Sequence, residues 1–347
     1  MQIGLALSGG GHRATVFHLG LLSRLASQNL LESITFISTV SGGSLCAGLV
    51  LAASDNRWPS SSQFREASLP RIRRIMTETD LQSTFVAQSL ATGGLLRSRA
   101  PDLASALRRL WHIEGSLRDL PTSPRWIINA TCYETGKNWR FERKRMGDYV
   151  LGYELEPDFP IADAMAASAG FPGLIGPLSL RTQGRNWVSY GAQGEPPETR
   201  AVQPAFDEVH LWDGGVYDIL GVEPLFKPNG GYRSDIDFLI VSDASGPFGT
   251  QDYRLPLIVT QTYRLVGIAM DQVRSLRARS IVGQFTKQSL AGCYVRLGNS
   301  VDDILGKAGR VQDIASYPGP YLTGAEAQQL AEMGTDIRRF QPAEFDR

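Results

Sequence analysis

Two glycine turns, one crossover apart, constrain this chain more than any other feature. Ile3, Leu5 and Leu7, with Ala6 between them, form a short apolar run that stops at Ser8-Gly9-Gly10-Gly11, as a buried parallel strand does. From Arg13 the period changes. Val16, Leu19, Leu22 and Leu25, flanked by Phe17 and Leu21, recur at helical spacing as far as Asn29. A second β-rich run, Ile34 to Val40, ends on Ser41-Gly42-Gly43, and another helix-like stretch follows to about Ala53. Gly11 and Ser41 are thus separated by one βαβ unit, which takes ~30 residues. Parallel strands have their carboxyl ends on one side of the sheet, so the two turns are expected next to each other.

A serine on a sharp strand-to-helix turn presents its hydroxyl above the sheet, and small neighbours let the turn close. Thr39-Val40-Ser41-Gly42-Gly43 is the G-x-S-x-G elbow with Thr in place of the first Gly, which makes Ser41 the candidate nucleophile. The Gly9–Gly11 turn can aim bare backbone N–H groups at a negative oxygen. Three other readings compete. Gly9 to Ala14 also matches G-x-G-x-x-A, but the acid a dinucleotide site wants at the end of the second strand is absent, and Glu32 comes too early. A P-loop requires a Lys-Ser/Thr that does not follow. The glycines can also serve only to pack helix on sheet.

The chain has 347 residues with 35 basic and 35 acidic side chains, so it lacks the charge excess of a dedicated nucleic-acid binder. Cys46, Cys132 and Cys293 are odd in number and far apart, without metal-ligand spacing, as in buried thiols of a reducing compartment. A strand beginning at Gln2 without a basic leader argues against a signal peptide, and no apolar run approaches the length of a membrane span. The expectation is a cytoplasmic protein that touches membrane, if at all, peripherally, at the inner membrane surface.

Further along, residues 55–120 read as a helical insertion, with an apolar face on Phe64, Ile72 and Met76 and a break at Gly93-Gly94. It reads either as core-facing helix for the most part or as a cap over an acyl-chain pocket, with Leu95-Leu96-Arg97 as the choice for a membrane-contacting tip where Gly93-Gly94 gives mobility. Arg125–Cys132 and Trp139–Met146 read as a hairpin whose arginines line a wet face. Ile161–Pro177 is a helix of small residues ended by Phe171-Pro172-Gly173, suited to a site wall or a tight helix–sheet contact. Leu180–Val202 reads as a surface excursion. The strand Glu208–Trp212 ends at Asp213-Gly214-Gly215; an isolated Asp-Gly-Gly is ordinarily a turn, but this company makes Asp213 the candidate base. Asp235–Ser242 is a buried strand, Tyr253–Phe285 long helices with Arg264, Arg274, Arg277 and Arg279 on a solvated face, Ala291–Leu297 a last strand and Gly324–Arg339 a terminal helix. All of this is expected to form a single domain, 1–347, with 250–347 as a C-terminal extension.

With Gly9-Gly10-Gly11-His12-Arg13, Val40-Ser41-Gly42-Gly43, the Ala167–Pro177 block and Asp213-Gly214-Gly215 in that order, the sequence resembles the patatin-like phospholipases. The resemblance covers roughly residues 3–225. It implies a three-layer α/β/α fold with a mainly parallel central sheet, and a Ser–Asp dyad that hydrolyses lipid acyl esters. On that footing Ser41 is nucleophile and Asp213 general base. Gly9, Gly10, Gly11 and Gly42 supply the oxyanion hole and Arg13 pins the glycine turn. No metal or cofactor is called for, and membrane phospholipid is the expected substrate. Some bacterial relatives are membrane-degrading effectors switched on by nucleotide second messengers in antiphage defence, which makes a nucleotide activator an expectation for the C-terminal third. An acyltransferase using the same elbow and a non-enzymatic nucleotide-binding module are the alternatives. A Ser-His-Asp triad has four histidines to draw on, His12, His18, His112 and His210, none in the late loop such a triad uses. The oligomeric state is not legible.

Overall fold

The computed structural model describes residues 1–93, 97–190, 199–227, 231–233, 235–249, 258–287, 289–307, 309–310, 321–334 and 337–346. β1 (Ile3–Leu7) and β2 (Ile34–Thr39) pair in parallel around α1 (Gly11–Ser27), and α2 (Gly42–Ala53) leaves β2. Every residue of β1 is buried, as a strand covered on both faces must be. α2 is apolar all round and buried nearly throughout, so it is an interior helix.

The insertion that follows is helical. α3 (Ser61–Gln63) runs through a π-helical turn at Phe64–Ser68 into α4 (Leu69–Glu78), and α5 (Leu81–Ala91) and α6 (Ala100–Trp111) complete it. Ser60 opens it with a capping box: its hydroxyl accepts the Gln63 N–H while the Gln63 side chain accepts the Ser60 N–H. Phe64, Ile72, Met76, Leu103 and Trp111 are buried in the main core. Leu95 and Leu96, expected at a membrane-contacting tip, lie outside the described residues.

Next come β3 (Arg125–Cys132), β4 (Asn138–Phe141), β5 (Arg145–Asp148), β6 (Gly152–Leu155), α7 (Ile161–Ser168), β7 (Leu178–Arg181), β8 (Trp187–Tyr190), β9 (Thr199–Val202) and β10 (Glu208–Asp213). They are followed by α8 (Gly215–Asp218), the ribbon β11 (Phe226–Lys227) with β12 (Gly231–Tyr232), β13 (Phe238–Asp243), α9 (Ile258–Thr286) and β14 (Gly292–Arg296). α10 (Val301–Lys307), α11 (Gly324–Ala331) and α12 (Pro342–Phe345) close the chain. Among the described residues, β14-β13-β1-β2-β3 form a parallel core, and the sheet continues antiparallel through β4, β5, β6, β8 and β9. Helices flank this α/β core as expected.

Several expectations are corrected. Trp139–Met146 is two strands, β4 and β5, and the hairpin grows into a meander. The 180–202 stretch is not simply a surface excursion: its described residues include the end of β7, β8 and β9, although β9 is mostly exposed and residues 191–198 lie outside the described residues. Leu178 and Leu180 are buried on one face of β7 while Ser179 and Arg181 are exposed, and Trp187 of β8 is buried with its ring 5.9 Å from that of Trp139. The Arg140–Arg145 segment is not a uniformly wet face, because Glu142 is buried and paired with Arg125 and Arg145. Arg274 and Arg277 are likewise not solvated. Arg274 joins Asp243 and Asp271, and Arg277 joins Asp218 and Glu223, which ties α9 to β13 and α8. Cys46 and Cys132 are buried free thiols and Cys293 is half-buried.

Candidate active site

The sheet topology brings the two turns together from opposite directions. β2 pairs with the first half of β3, Thr39 opposite Ile128, and runs parallel to it. β10 pairs with the second half, Asp213 opposite Ala130, and runs antiparallel. Both lie on the same edge of β3, since β4 occupies the other from Ile128 to Thr131. β2 and β10 therefore point at each other and stop two β3 residues apart. Asp213 thus reaches Ser41 head-on, not from a neighbouring parallel strand. Asn129 spans the gap, its amide donating to Ser38 Oγ and the Thr39 carbonyl, both at 2.9 Å.

Ser41 sits at φ 49°, ψ −115°, a conformation that costs an L-residue on the order of 1–3 kcal/mol and persists only where the surroundings enforce it. Close approach is one enforcer: a Cβ on Gly42 would lie 2.3 Å from the Gly11 carbonyl, so nothing larger than glycine fits between the two turns. A buried hydrogen-bond chain is the other. The Ser41 N–H donates to Ser168 Oγ at 3.0 Å; Ser168 and Ser44 hydroxyls are 2.8 Å apart, as are those of Ser44 and Thr39. Trp126 Nε1–H donates to Thr39 Oγ1 at 2.9 Å, and the Thr39 hydroxyl reaches the Ile127 carbonyl at 3.4 Å. With each hydroxyl donating toward Ile127, every donor in the chain is used. Thr39, the departure from the elbow pattern, is therefore an integral member of this support. Ser168 was overlooked in the sequence. Its signal was the one hydroxyl amid the alanines of α7.

Asp213 is fully buried, and its Oδ1 accepts the Gly215 N–H at 2.7 Å. Burial pushes its carboxyl up to about 7, against the opposing pull of the Gly215 N–H and of the Ser41 hydroxyl, which faces it and favours the charged form. The Ser168 carbonyl accepts the Gly214 N–H at 3.2 Å, so Ser168 holds both turns.

The glycine turn lies against Ser41: a Cβ on Gly9 would stand 3.3 Å from the Ser41 Cβ. Gly10 adopts φ 136°, which keeps side chains out of the corner. Among the described residues no acceptor takes the N–H of Gly10, Gly11 or Gly42. One expected oxyanion contributor is corrected. The Gly9 N–H is spent on the Ile219 carbonyl at 2.9 Å, tying the glycine turn to the acid's turn. The terminal nitrogens of the Arg13 guanidinium donate to the Ala331, Met333 and Ala244 carbonyls at 3.1, 2.5 and 3.4 Å, so Arg13 pins the glycine turn, as the resemblance implies, by tying it to the C-terminal segment.

Ser41 and Asp213 open into a cavity of about 470 Å³. One wall, from the insertion and the 171–175 loop, is largely apolar, with Phe85, Leu103, Leu174 and Ile175, although Gln82 and Arg99 also line it. The other, from the segment after β13 and from α9, carries Ser245, Asp271 and Arg274. No histidine lines it. His12 Nδ1 meets the Arg338 carbonyl, His210 meets Glu134, His112 is exposed beyond α6, and His18, bonded to Ser242 and Ser8, is pushed down to about 4 by burial.

A parallel α/β core carrying a strained serine turn against a buried acid defines a serine-elbow protein. The model of the family "Patatin-like phospholipase" matches residues 5–226, which contain both turns, α7 and Asp213, and the chain belongs to that family. Patatin-like phospholipase domain-containing proteins of Neosartorya fischeri and Aspergillus fumigatus are each 28% identical over 185 residues, covering 52% of this chain and 23% of the relative. The match therefore takes in less than a quarter of the length of those relatives. Human GIVD cytosolic phospholipase A2 aligns at TM-score 0.45 and 15% identity over 78% of this chain and 48% of its own. VipD from Legionella pneumophila aligns at 0.34 and 15% over 88% and 58%. No helix among the described residues is long and apolar enough to cross a membrane.

Proposed function

We propose that this chain is a serine esterase of phospholipase A type, cleaving acyl esters of membrane phospholipids through Ser41 and Asp213. The observation that carries the reading is the Ser41 hydroxyl facing a buried Asp213 carboxyl in a cavity with one largely apolar wall. Asp213 takes the hydroxyl proton as Ser41 Oγ attacks the ester carbonyl. Gly10 and Gly11, and the Gly42 N–H behind Ser41, are the donors for the oxyanion, and losing one such donor typically costs ~10²–10³ in rate. As the tetrahedral intermediate collapses, the same proton passes from Asp213 to the departing alcohol. Water then attacks the acyl-enzyme with Asp213 again as base, releasing the fatty acid and restoring Ser41.

The insertion acts as the cap over the acyl chain. Val86, Leu174 and Phe248, each at least two-fifths exposed, rim the cavity where a peripheral contact with the bilayer delivers the lipid. An effector role in antiphage defence and activation by a nucleotide second messenger rest on the family resemblance alone.

Fatty-acid release from phospholipid vesicles by the wild type, Ser41→Ala and Asp213→Asn tests the reading. Release by the wild type and its loss in both variants supports it. Full activity in Asp213→Asn refutes the assignment of the base.

A further inference from the structure

The last strand of the sheet has a free edge with a basic groove beside it. β14 ends the sheet, pairing with β13 alone among the described residues, and no residue of it is fully buried, whereas every residue of β1 is. Its main chain alternates in direction. The Leu239 N–H donates to the Ala291 carbonyl and the Leu297 N–H to the Asp243 carbonyl, so the odd-numbered residues face β13 while Gly292, Tyr294 and Arg296 face outward. Among the described residues nothing accepts the N–H of Tyr294 or Arg296. Such an edge is a template for one more strand.

α9 runs back along this strand. Phe285 packs on Gly292, where a Cβ would lie 2.5 Å from the ring, and towards the other end Arg274 and Tyr294 both bond Asp243. The groove between helix and strand has a volume of about 580 Å³, with Ala278, Val282 and Thr286 on the helix side and Tyr294 on the strand side. Arg279, Lys287 and Arg296 line it as well; all three are exposed, and their side chains form no ion pair or hydrogen bond among the described residues. No carboxylate is among the described residues that line the groove. Arg274 reaches it too but is spent on Asp243 and Asp271, and the three outer cations outnumber the one negative charge left over in that buried cluster.

A groove of one sign along a strand edge selects its occupant. A second copy of β14 would set Arg296 against like charge, so the edge does not fit itself. A flat bilayer meets only the rim of a groove walled by a helix. An extended acidic segment satisfies both features. Arg279 and Lys287 are eight residues apart along the helix and its end, ~12 Å of rise, which an extended chain covers in about four residues, and residues i, i+2 and i+4 of a strand share a face. We propose that the β14 edge and the groove along α9 dock an extended segment of a partner protein, which adds as a strand to β14 and points acidic side chains at alternate positions toward Arg279, Lys287 and Arg296. This goes beyond the esterase reading and does not depend on it.

The test is fluorescence anisotropy of the full chain with a fluorescein-labelled ten-residue peptide in which Glu and Thr alternate. Saturable binding is expected, weakened about 2- to 5-fold by each of Arg279→Gln, Lys287→Gln and Arg296→Gln, the worth of one exposed ion pair. Unchanged urea midpoints show that the variants fold. Two further peptides, N-methylated on the Glu amides or on the Thr amides, read the main-chain pairing. A strand bonds its neighbour through every second residue, so one methylated peptide should bind like the parent and the other should lose binding. Methylated peptides that behave alike overturn the proposal, because no strand is then added. Tripolyphosphate or phosphatidylglycerol vesicles that bind through Arg279 and Lys287 while the peptide does not overturn it in favour of a phosphate site or a lipid contact. No binding of the peptide at millimolar concentration overturns it outright.

Discussion

Asp213 is asked to hold a negative charge where there is no water to solvate it. Its carboxyl is raised from 3.8 to about 7, a displacement of about 3 pH units. At about 1.4 kcal/mol per unit, the folded protein gives up roughly 4 kcal/mol when this proton is gone, a large share of the 5–15 kcal/mol that typically separates folded from unfolded. The sign follows from proton counting. Between about pH 4 and pH 7 the unfolded chain has lost the Asp213 proton and the folded chain still holds it, so stability falls as pH rises. Below that window the contribution is fully present; above it the loss is complete and the curve is flat. Asp213→Asn keeps an oxygen for the Gly215 N–H and never ionises, so it isolates the effect. Urea unfolding of the wild type and of Asp213→Asn at each pH from 4 to 9 is the assay. The stability difference should swing toward the variant by about 1.4 kcal/mol per pH unit and level off near pH 7 at roughly 4 kcal/mol. As the base proposed above, the same group must be unprotonated, so kcat/KM on a soluble ester should climb with pH and reach its plateau at that same break. Stability curves that stay parallel from pH 4 to 8 refute the reasoning, because the carboxylate is then solvated in the folded protein.

Ser41→Ala should remove fatty-acid release while leaving the urea midpoint within about 0.5 M of the wild type, since the side chain is small and only half-buried; retained hydrolysis would move the nucleophile elsewhere. Ser168→Ala leaves the Ser41 N–H without its acceptor and is expected to lower kcat by roughly 10-fold or more with little change in KM, whereas a pure KM effect would argue against a positioning role. Arg274→Met strands the buried Asp243 carboxylate and should cost about 3–5 kcal/mol by urea unfolding; an unchanged midpoint would show that Tyr294 and the Ser245 N–H suffice to hold it.

How much of this was legible in the sequence depends on the range of the interactions. The opening unit was readable because its signals are local. Apolar runs of strand length, a helical period between them and glycines at both turns need no distant partner to be interpreted. Ser41 was readable for the same reason, and Asp213 through the strand that ends at it. Strands β7 and β8 were not, because their runs are short and broken by Gly184, and only the burial of Leu178, Leu180 and Trp187 against distant partners distinguishes strand from loop.

The pairing of turns within the sheet belongs to tertiary structure. Nothing local states that β10 runs antiparallel into the edge that β2 vacates, because strand direction is chosen by β3, which both must share. The same holds for Arg13, whose side chain is spent on carbonyls more than 200 residues away in sequence, and for Gly9, whose N–H goes to Ile219. It holds for Ser168 and Thr39, ordinary residues until folding lines up their hydroxyls between Trp126 and the Ser41 N–H. The sequence determined which groups the site contains; the fold alone decided which of their donors remain free, because a hydrogen bond is consumed by whichever partner packing brings within reach.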